Sequence, residues 1–242
     1  MSEEPACCKQ GVRTRIKDFW HNTHEYPAEY TLLKNGAITL FILLAIQAII
    51  TFLLPETALP KYAWWVVYTI ISVVSITVGV AHLKAYITNI NCMTGMMIGM
   101  TLGMQTGMMI GTILGATNGL FIGGIIGMIL AVCIGIYSGR CCGIMGVMEG
   151  TMAGSMGGIM GAMTGVMFSA DNILWFMPVF MLINIAIMIG FSIMLYEEIA
   201  AKHKPETKTI SLNKFSMLCT LAVVLISLII LWGPRTGLAA LG

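Results

Sequence analysis

Polar positions interrupt this chain at only a few places, and the interruptions mark out its elements. Apolar runs of helical length occupy residues 36–54, 63–81, 93–116, 119–138, 143–168, 173–196 and 215–233. A hydrocarbon layer about 30 Å thick takes roughly 20 apolar residues per helix, so each run predicts a crossing. The stretch 93–168 is barely interrupted, and as one helix its 76 residues would reach roughly 114 Å. It must fold back twice, and two segments suit the turns: Ala116-Thr117-Asn118-Gly119 and Gly139-Arg140-Cys141-Cys142-Gly143. Each combines Gly with Asn or a charge, the chemistry that stops a helix.

The pattern predicts an all-α integral membrane protein with about seven transmembrane helices around a Gly-zipper, Met-rich central three-helix block. Residues 1–35 form a cytoplasmic N-terminal segment, 36–92 the first two transmembrane helices, and 93–168 the Gly/Met-rich core. Residues 169–242 supply the last two helices, joined by an inner loop over 197–214. In the N-terminal segment Val12, Ile16, Phe19 and Trp20 share a helix face opposite Arg13, Arg15 and Lys17, which suits a helix lying on the inner membrane surface. A solvated tail is the alternative.

Charge placement orients the chain. With the N-terminus inside, eleven Lys and Arg fall on cytoplasmic segments, and only Lys61 and Arg235 fall outside. That positive-inside bias predicts a cytoplasmic N-terminus and an outer C-terminus. Only 10 % of the 242 residues are charged, against about 25 % in a soluble domain, so a water-soluble globule is excluded. A net charge of +2 gives no reason to expect a nucleic-acid partner. There is no Gly-rich phosphate loop, no His-Glu-xx-His site and no nucleophile–His–acid set, so the chain does not read as an enzyme.

Glycine recurs with a period near four. It occupies 95, 99, 103, 107, 111, 115, 119, 123 and 127, and after Ala131 continues at 135, 139 and 143. Gly146, Gly150, Gly154 and Gly158 follow, then Gly161 and Gly165, so that 20 of the 27 glycines lie between 95 and 165. Each Gly costs a water-exposed helix about 1 kcal/mol relative to Ala, and such repetition needs a packing reason. Rows of small residues let helix backbones approach closely. Gly95, Gly99, Gly103, Gly107 and Gly111 on helix three, with Gly146, Gly150 and Gly154 on helix five, are therefore the expected packing positions. Helices three to five read as the tightly packed centre of the bundle.

Methionine tracks the same block, with 15 of 21 between Met93 and Met167. Met96, Met100, Met104 and Met108 step by four on helix three, and Met145, Met148, Met152, Met156, Met160, Met163 and Met167 form a nearly straight stripe on helix five. Each stripe Met comes two residues after a Gly, so helix five has a glycine face and an opposite thioether face. Leu or Ile fills gaps as well as Met does, and the other helices use them freely.

All seven cysteines fall on or near the cytoplasmic side, which predicts free thiols in a reducing compartment rather than structural disulfides. Glu149 lies six residues into helix five, and a carboxylate in a membrane helix is a functional marker by default. Helical spacing puts Cys142, Met145, Glu149, Met152 and Met156 on one line. Soft thiolate and thioether ligands favour Cu(I). The candidate metal residues are thus Cys92, Cys141, Cys142, Met96, Met100, Met104, Met108, Met145, Met148, Glu149, Met152 and Met156. Pairing of Glu149 with Arg140 or Lys84 is the competing account. Gln105, Thr101, Asn118, Asn184 and His82 are further polar groups, each readable as an ordinary interhelical hydrogen bond. His21 and His24 with Cys7-Cys8 offer a cytosolic metal relay, against plain surface histidines.

The steps Met96-xxx-Met100-xxx-Met104-xxx-Met108 and Met152-xxx-Met156-xxx-Met160, beside Gly-xxx-Gly steps, resemble the membrane signature of the eukaryotic high-affinity copper transporters. The resemblance covers a small share of the chain. Those transporters have three helices per subunit and form trimers, so the layout here departs from theirs. Vicinal cysteines near an inner face are similar to those of mercuric-ion uptake proteins, again without a matching layout.

Two functions follow as expectations. The first is a membrane protein that binds or conducts a soft metal, Cu(I) foremost, through a Met/Cys/Glu ladder in which the two Met stripes face one another. The second is a glycine-zipper structural, assembly or channel subunit with no metal role. The expected partners are the lipid bilayer, a homo-oligomer or larger membrane complex, and, for the first function, a cytosolic metal chaperone.

Overall fold

The computed structural model describes residues 27–53, 59–86, 92–169, 171, 173–200 and 212–233. The expected surface helix before residue 27, Cys7-Cys8, His21, His24 and most of the 197–214 loop lie outside the described residues. Those described form α1 (Pro27–Leu53), α2 (Leu59–Tyr86), α3 (Cys92–Asn118), α4 (Leu120–Gly139), a 3-10 turn (Arg140–Cys142), α5 (Gly143–Ser169), α6 (Ile173–Ala200) and α7 (Leu212–Trp232), with no strand among them. Six stretches are long and apolar enough to cross a membrane, one of them the 50-residue Leu120–Ser169 that holds α4, the turn and α5. α1 begins well before its apolar run, at Pro27. Proline suits the first helical turn because its fixed φ is already helical and no N–H partner is needed there.

Both turns inside the glycine-rich stretch depend on one glycine. α3 passes to α4 through Gly119 alone, at φ 93° and ψ 173°. Its N–H donates to the Gly115 carbonyl, and its carbonyl accepts from the Gly123 N–H, both at 3.0 Å, so the hydrogen-bond ladder runs through the turn at this residue. Gly143, at φ 68°, follows the 3-10 turn and starts α5. Such positive φ values are open to Gly at little cost and to other residues at a penalty.

Three helices then close on backbone. A β-carbon added at Gly99 would lie 2.9 Å from the Gly139 Cα and 3.4 Å from the Gly146 oxygen. At Gly103 it would meet the Gly150 oxygen at 3.0 Å and the Gly135 Cα at 3.3 Å. Gly111 packs in the same way on Gly127 and Gly158, and Gly115 on Gly123 and Ala162. Between these layers Gly107 meets Gly157 and Gly158, while Gly154 meets Ala131, the one Ala in the row on α4. Gly157, Gly161 and Gly165 form a second row on α5, turned toward Met104, Met108 and Thr112 of α3.

α3 carries small residues on one face and large ones on the other. Ile98, Leu102, Met109, Ile113 and Leu114 are fully or nearly fully buried in a core that also takes Ile70, Val73, Leu83, Met177, Met188, Leu195, Cys219 and Ile230 from α2, α6 and α7. Of the three helices in the block, α3 is the most buried. α4 and α5 form a flank with one open side, which corrects the expectation that all three helices are central. The reason is geometric: a glycine row buries backbone on one face of a helix, and beyond it α4 adds only a partly buried stripe of Ile126, Leu130 and Ile134 against the core, while α5 adds none.

Candidate functional site

The open side of α5 is the methionine face. Met145, Met148, Met152, Met156, Met160, Met163 and Met167 are each 46–70 % exposed. Gly146, Gly150, Gly154, Gly157, Gly158, Gly161 and Gly165 on the same helix are buried. A residue two positions after a glycine is turned about 200° from it, so tight packing on one side forces the thioethers out on the other. α4 is open too, but its exposed side chains include Phe121, Ile125 and Ile129.

Glu149 is half-buried at the edge of this face. It lies six residues after Gly143, roughly 9 Å along the axis. Among the described residues it makes no ion pair with Arg140 or Lys84, the partners the competing account assigned to it.

The methionines of α3 are placed differently. Met100 is exposed, and Met96, Met104 and Met108 are half-buried. α5 touches this row through its backbone: a β-carbon at Gly157 would lie 2.5 Å from the Met104 oxygen, and one at Gly161 would lie 2.8 Å from the Met108 oxygen. The α5 methionines themselves stay on the open side of their helix. Glycine, not methionine, fills the α3–α5 contact.

The line from Cys142 to Glu149 is also broken. It assumed one continuous helix, whereas Cys142 belongs to the 3-10 turn and the positive φ of Gly143 resets the helical register. Cys142 turns toward α3 instead, where it is disulfide-bonded to Cys92 with their Cα atoms 4.6 Å apart. Free thiols were expected at both positions. Cys141, half-buried, Cys133, exposed, and Cys219, buried, remain free. A disulfide offers no thiolate, so Cys92 and Cys142 supply soft ligands only when reduced. Among the described residues no group of three or more His, Cys, Asp or Glu side chains is placed to hold a metal ion.

The remaining polar groups act mainly as links. The Thr117 hydroxyl donates to Asn118 Oδ1 at 2.8 Å, and Asn118 Nδ2 donates to the Ile229 carbonyl at 3.0 Å, tying α3 to α7. His82 Nδ1 lies 2.9 Å from the Ser192 hydroxyl, joining α2 to α6. Ser72 reaches the Met181 sulfur at 3.6 Å. Asn184 and Thr101 bond carbonyls of their own helices. Gln105 is buried with Oε1 unpartnered. Ser72, Ser192 and the Cys92–Cys142 pairing were missed in the sequence. Only the last left a signal there. Gly99, Gly103 and Gly111 of α3 meet Gly146, Gly150 and Gly158 of α5 at an offset of 47, and the same offset places Cys142 beside Gly95, one turn from Cys92.

A wholly apolar groove of about 560 Å³ runs between α4 and α7, lined by Phe121, Ile125, Leu225, Leu228 and Trp232 among others. No protein-family model, curated protein or solved structure matches the chain.

Proposed function

We propose that this chain is a membrane-embedded assembly subunit. Its glycine-packed α3–α4–α5 unit acts as a glycine zipper that makes a rigid block, and the methionine face of α5 joins that block to a second copy. In this reading the chain crosses the bilayer seven times, since Leu120–Ser169 turns back at residues 139–143 into helices of 20 and 27 residues. The N-terminus is cytoplasmic and the C-terminus outside, following the distribution of Lys and Arg.

The observation that carries the reading is the unbroken, exposed run of seven methionines opposite a buried glycine face. Lipid requires only apolar cover, and α4 provides it with Phe and Ile. Methionine is unbranched and polarizable, and it adapts to an irregular protein surface. Glu149 points the same way: a carboxylate left in lipid costs several kcal/mol unless it is paired, neutralised or hydrated, and a protein partner can supply any of these.

Light scattering of the full chain in mild detergent tests this. Wild type is expected to be at least dimeric, Met152→Lys monomeric, and Ile129→Lys on α4 still assembled. A monomeric wild type at every concentration rejects the proposal.

A second reading, Cu(I) handling, is favoured by Glu149 sharing its face with Met145, Met152 and Met156. One chain offers a single exposed stripe; two copies face to face would provide the opposed thioethers that the first expectation required. A cytosolic metal chaperone would then dock at the cysteine end. Copper content after purification with Cu(I) under reducing conditions separates the two readings. Copper that falls when Met145, Met148, Met152 and Met156 become Leu and Glu149 becomes Gln, with assembly intact, supports metal handling. No stoichiometric copper in either form leaves assembly alone.

A further inference from the structure

Three cysteines from distant parts of the chain meet at one end of the glycine block. Cys92 opens α3, and Cys141 and Cys142 close the 3-10 turn 50 residues later, with Cys92 bonded to Cys142 and Cys141 free. Their approach is built into the packing rather than imposed by the bond. Gly95 leaves no side chain between α3 and the turn: a β-carbon there would lie 3.3 Å from the Cys141 Cβ and 3.5 Å from the Cys142 Cβ. One layer on, Gly99 closes against Gly139 and Gly146. Cys92 and Cys142 therefore stay neighbours when the bond is broken. Cys92 is exposed, so small reagents can reach the pair.

We propose that Cys92 and Cys142 form a reversible dithiol–disulfide pair that fastens the start of α3 to the α4–α5 turn, with a low-molecular-weight disulfide as its oxidant. The Cys92 thiolate attacks one sulfur of the small disulfide, forming a mixed disulfide and releasing one small thiolate. The Cys142 thiolate then attacks the Cys92 sulfur and expels the second. Both protein thiols lose their protons, two electrons pass to the oxidant, and it leaves as two thiols. A small thiol reverses each step. Oxidised, the end of the block is covalently closed and Cys141 is its one thiol. Reduced, it presents three.

The charge distribution predicts that this end faces the cytosol, and in such a compartment a disulfide is usually a transient sensor rather than a permanent staple. The inference is independent of the assembly reading, because it concerns only contacts within one chain.

The test uses the full wild-type chain in detergent, equilibrated in graded mixtures of reduced and oxidised glutathione. Thiols are trapped with one isotopic form of an alkylating reagent and disulfides, after reduction, with a second; mass spectrometry then reads each cysteine peptide. Cys92 and Cys142 should convert together in one two-electron transition while Cys141 keeps the first label throughout. Cys141→Ser should leave the transition in place, and Cys92→Ser should leave Cys142 a thiol. The wild-type measurement stands even if a variant misfolds. Three results overturn the proposal: both cysteines thiols in the most oxidising mixture, a bond reduced only after unfolding, or Cys141 replacing either partner.

Discussion

Gly99 of α3 lies so close to Gly139 of α4 that a β-carbon at position 99 would sit 2.9 Å from the Gly139 α-carbon. Nothing at that contact can rotate away, since both partners are backbone. The same holds at each layer of the block, so tolerance to a single methyl group should separate its glycines from those elsewhere.

Gly150→Ala would drive a methyl into the Gly135 carbonyl, and Gly135→Ala would do the same against Gly150. Each is expected to cost about 1–3 kcal/mol or more through overpacking, despite the roughly 1 kcal/mol that Ala gains in helix propensity. Gly190→Ala meets nothing within 4 Å, and Gly124→Ala only the Ala162 methyl at 4.0 Å; both should be neutral or mildly stabilising. Unfolding midpoints in detergent give the order. Equal midpoints for Gly150→Ala and Gly190→Ala would sink the backbone-packing account.

Gly143 separates conformation from space. Nothing lies within 4 Å of a β-carbon there, yet its φ is 68°. Gly143→Ala should therefore lose about 1–3 kcal/mol from backbone strain alone, and Gly143→Asn about as much, because φ 68° with ψ −148° lies outside the left-handed helical region that Asn tolerates. No loss in either variant would show that the turn relaxes to negative φ.

Two buried amides should respond in opposite directions. Asn118→Ala removes the link to the Ile229 carbonyl and should cost about 1 kcal/mol, in line with interhelical hydrogen bonds in membranes. Gln105 carries an unpartnered Oε1, and Gln105→Leu should stabilise by about 1 kcal/mol or more by removing a buried, unsatisfied acceptor. A destabilised Gln105→Leu would show that the amide has a polar partner, such as a bound water.

Cysteine labelling reports the packing directly. Cys133 is exposed and Cys219 is fully buried. A membrane-permeant maleimide should modify Cys133 in the folded protein and Cys219 only on unfolding. Equal rates at the two sites would place α7 elsewhere.

The two turns of the glycine-rich stretch were legible at Asn118-Gly119 and at residues 139–143, because a helix stop depends on local chemistry: a glycine able to take positive φ beside polar groups. The thioether stripe opposite the glycine face was legible for a similar reason, since it follows from helical angle alone. Which elements meet was not. A four-residue glycine row states that a face will pack closely but not against what, and the choice between facing methionines and facing glycines was made by backbone contact between α3 and α5. The central place of α3 likewise depended on large side chains from α2, α6 and α7, far away in the chain. The bond from Cys92 to Cys142 required the register of three helices at once. The sequence by itself determined where helices form, where they stop and which face of each is small. Only the tertiary structure decided which faces are spent on packing and which are left open, because that choice is set by contacts between segments remote from one another in the chain.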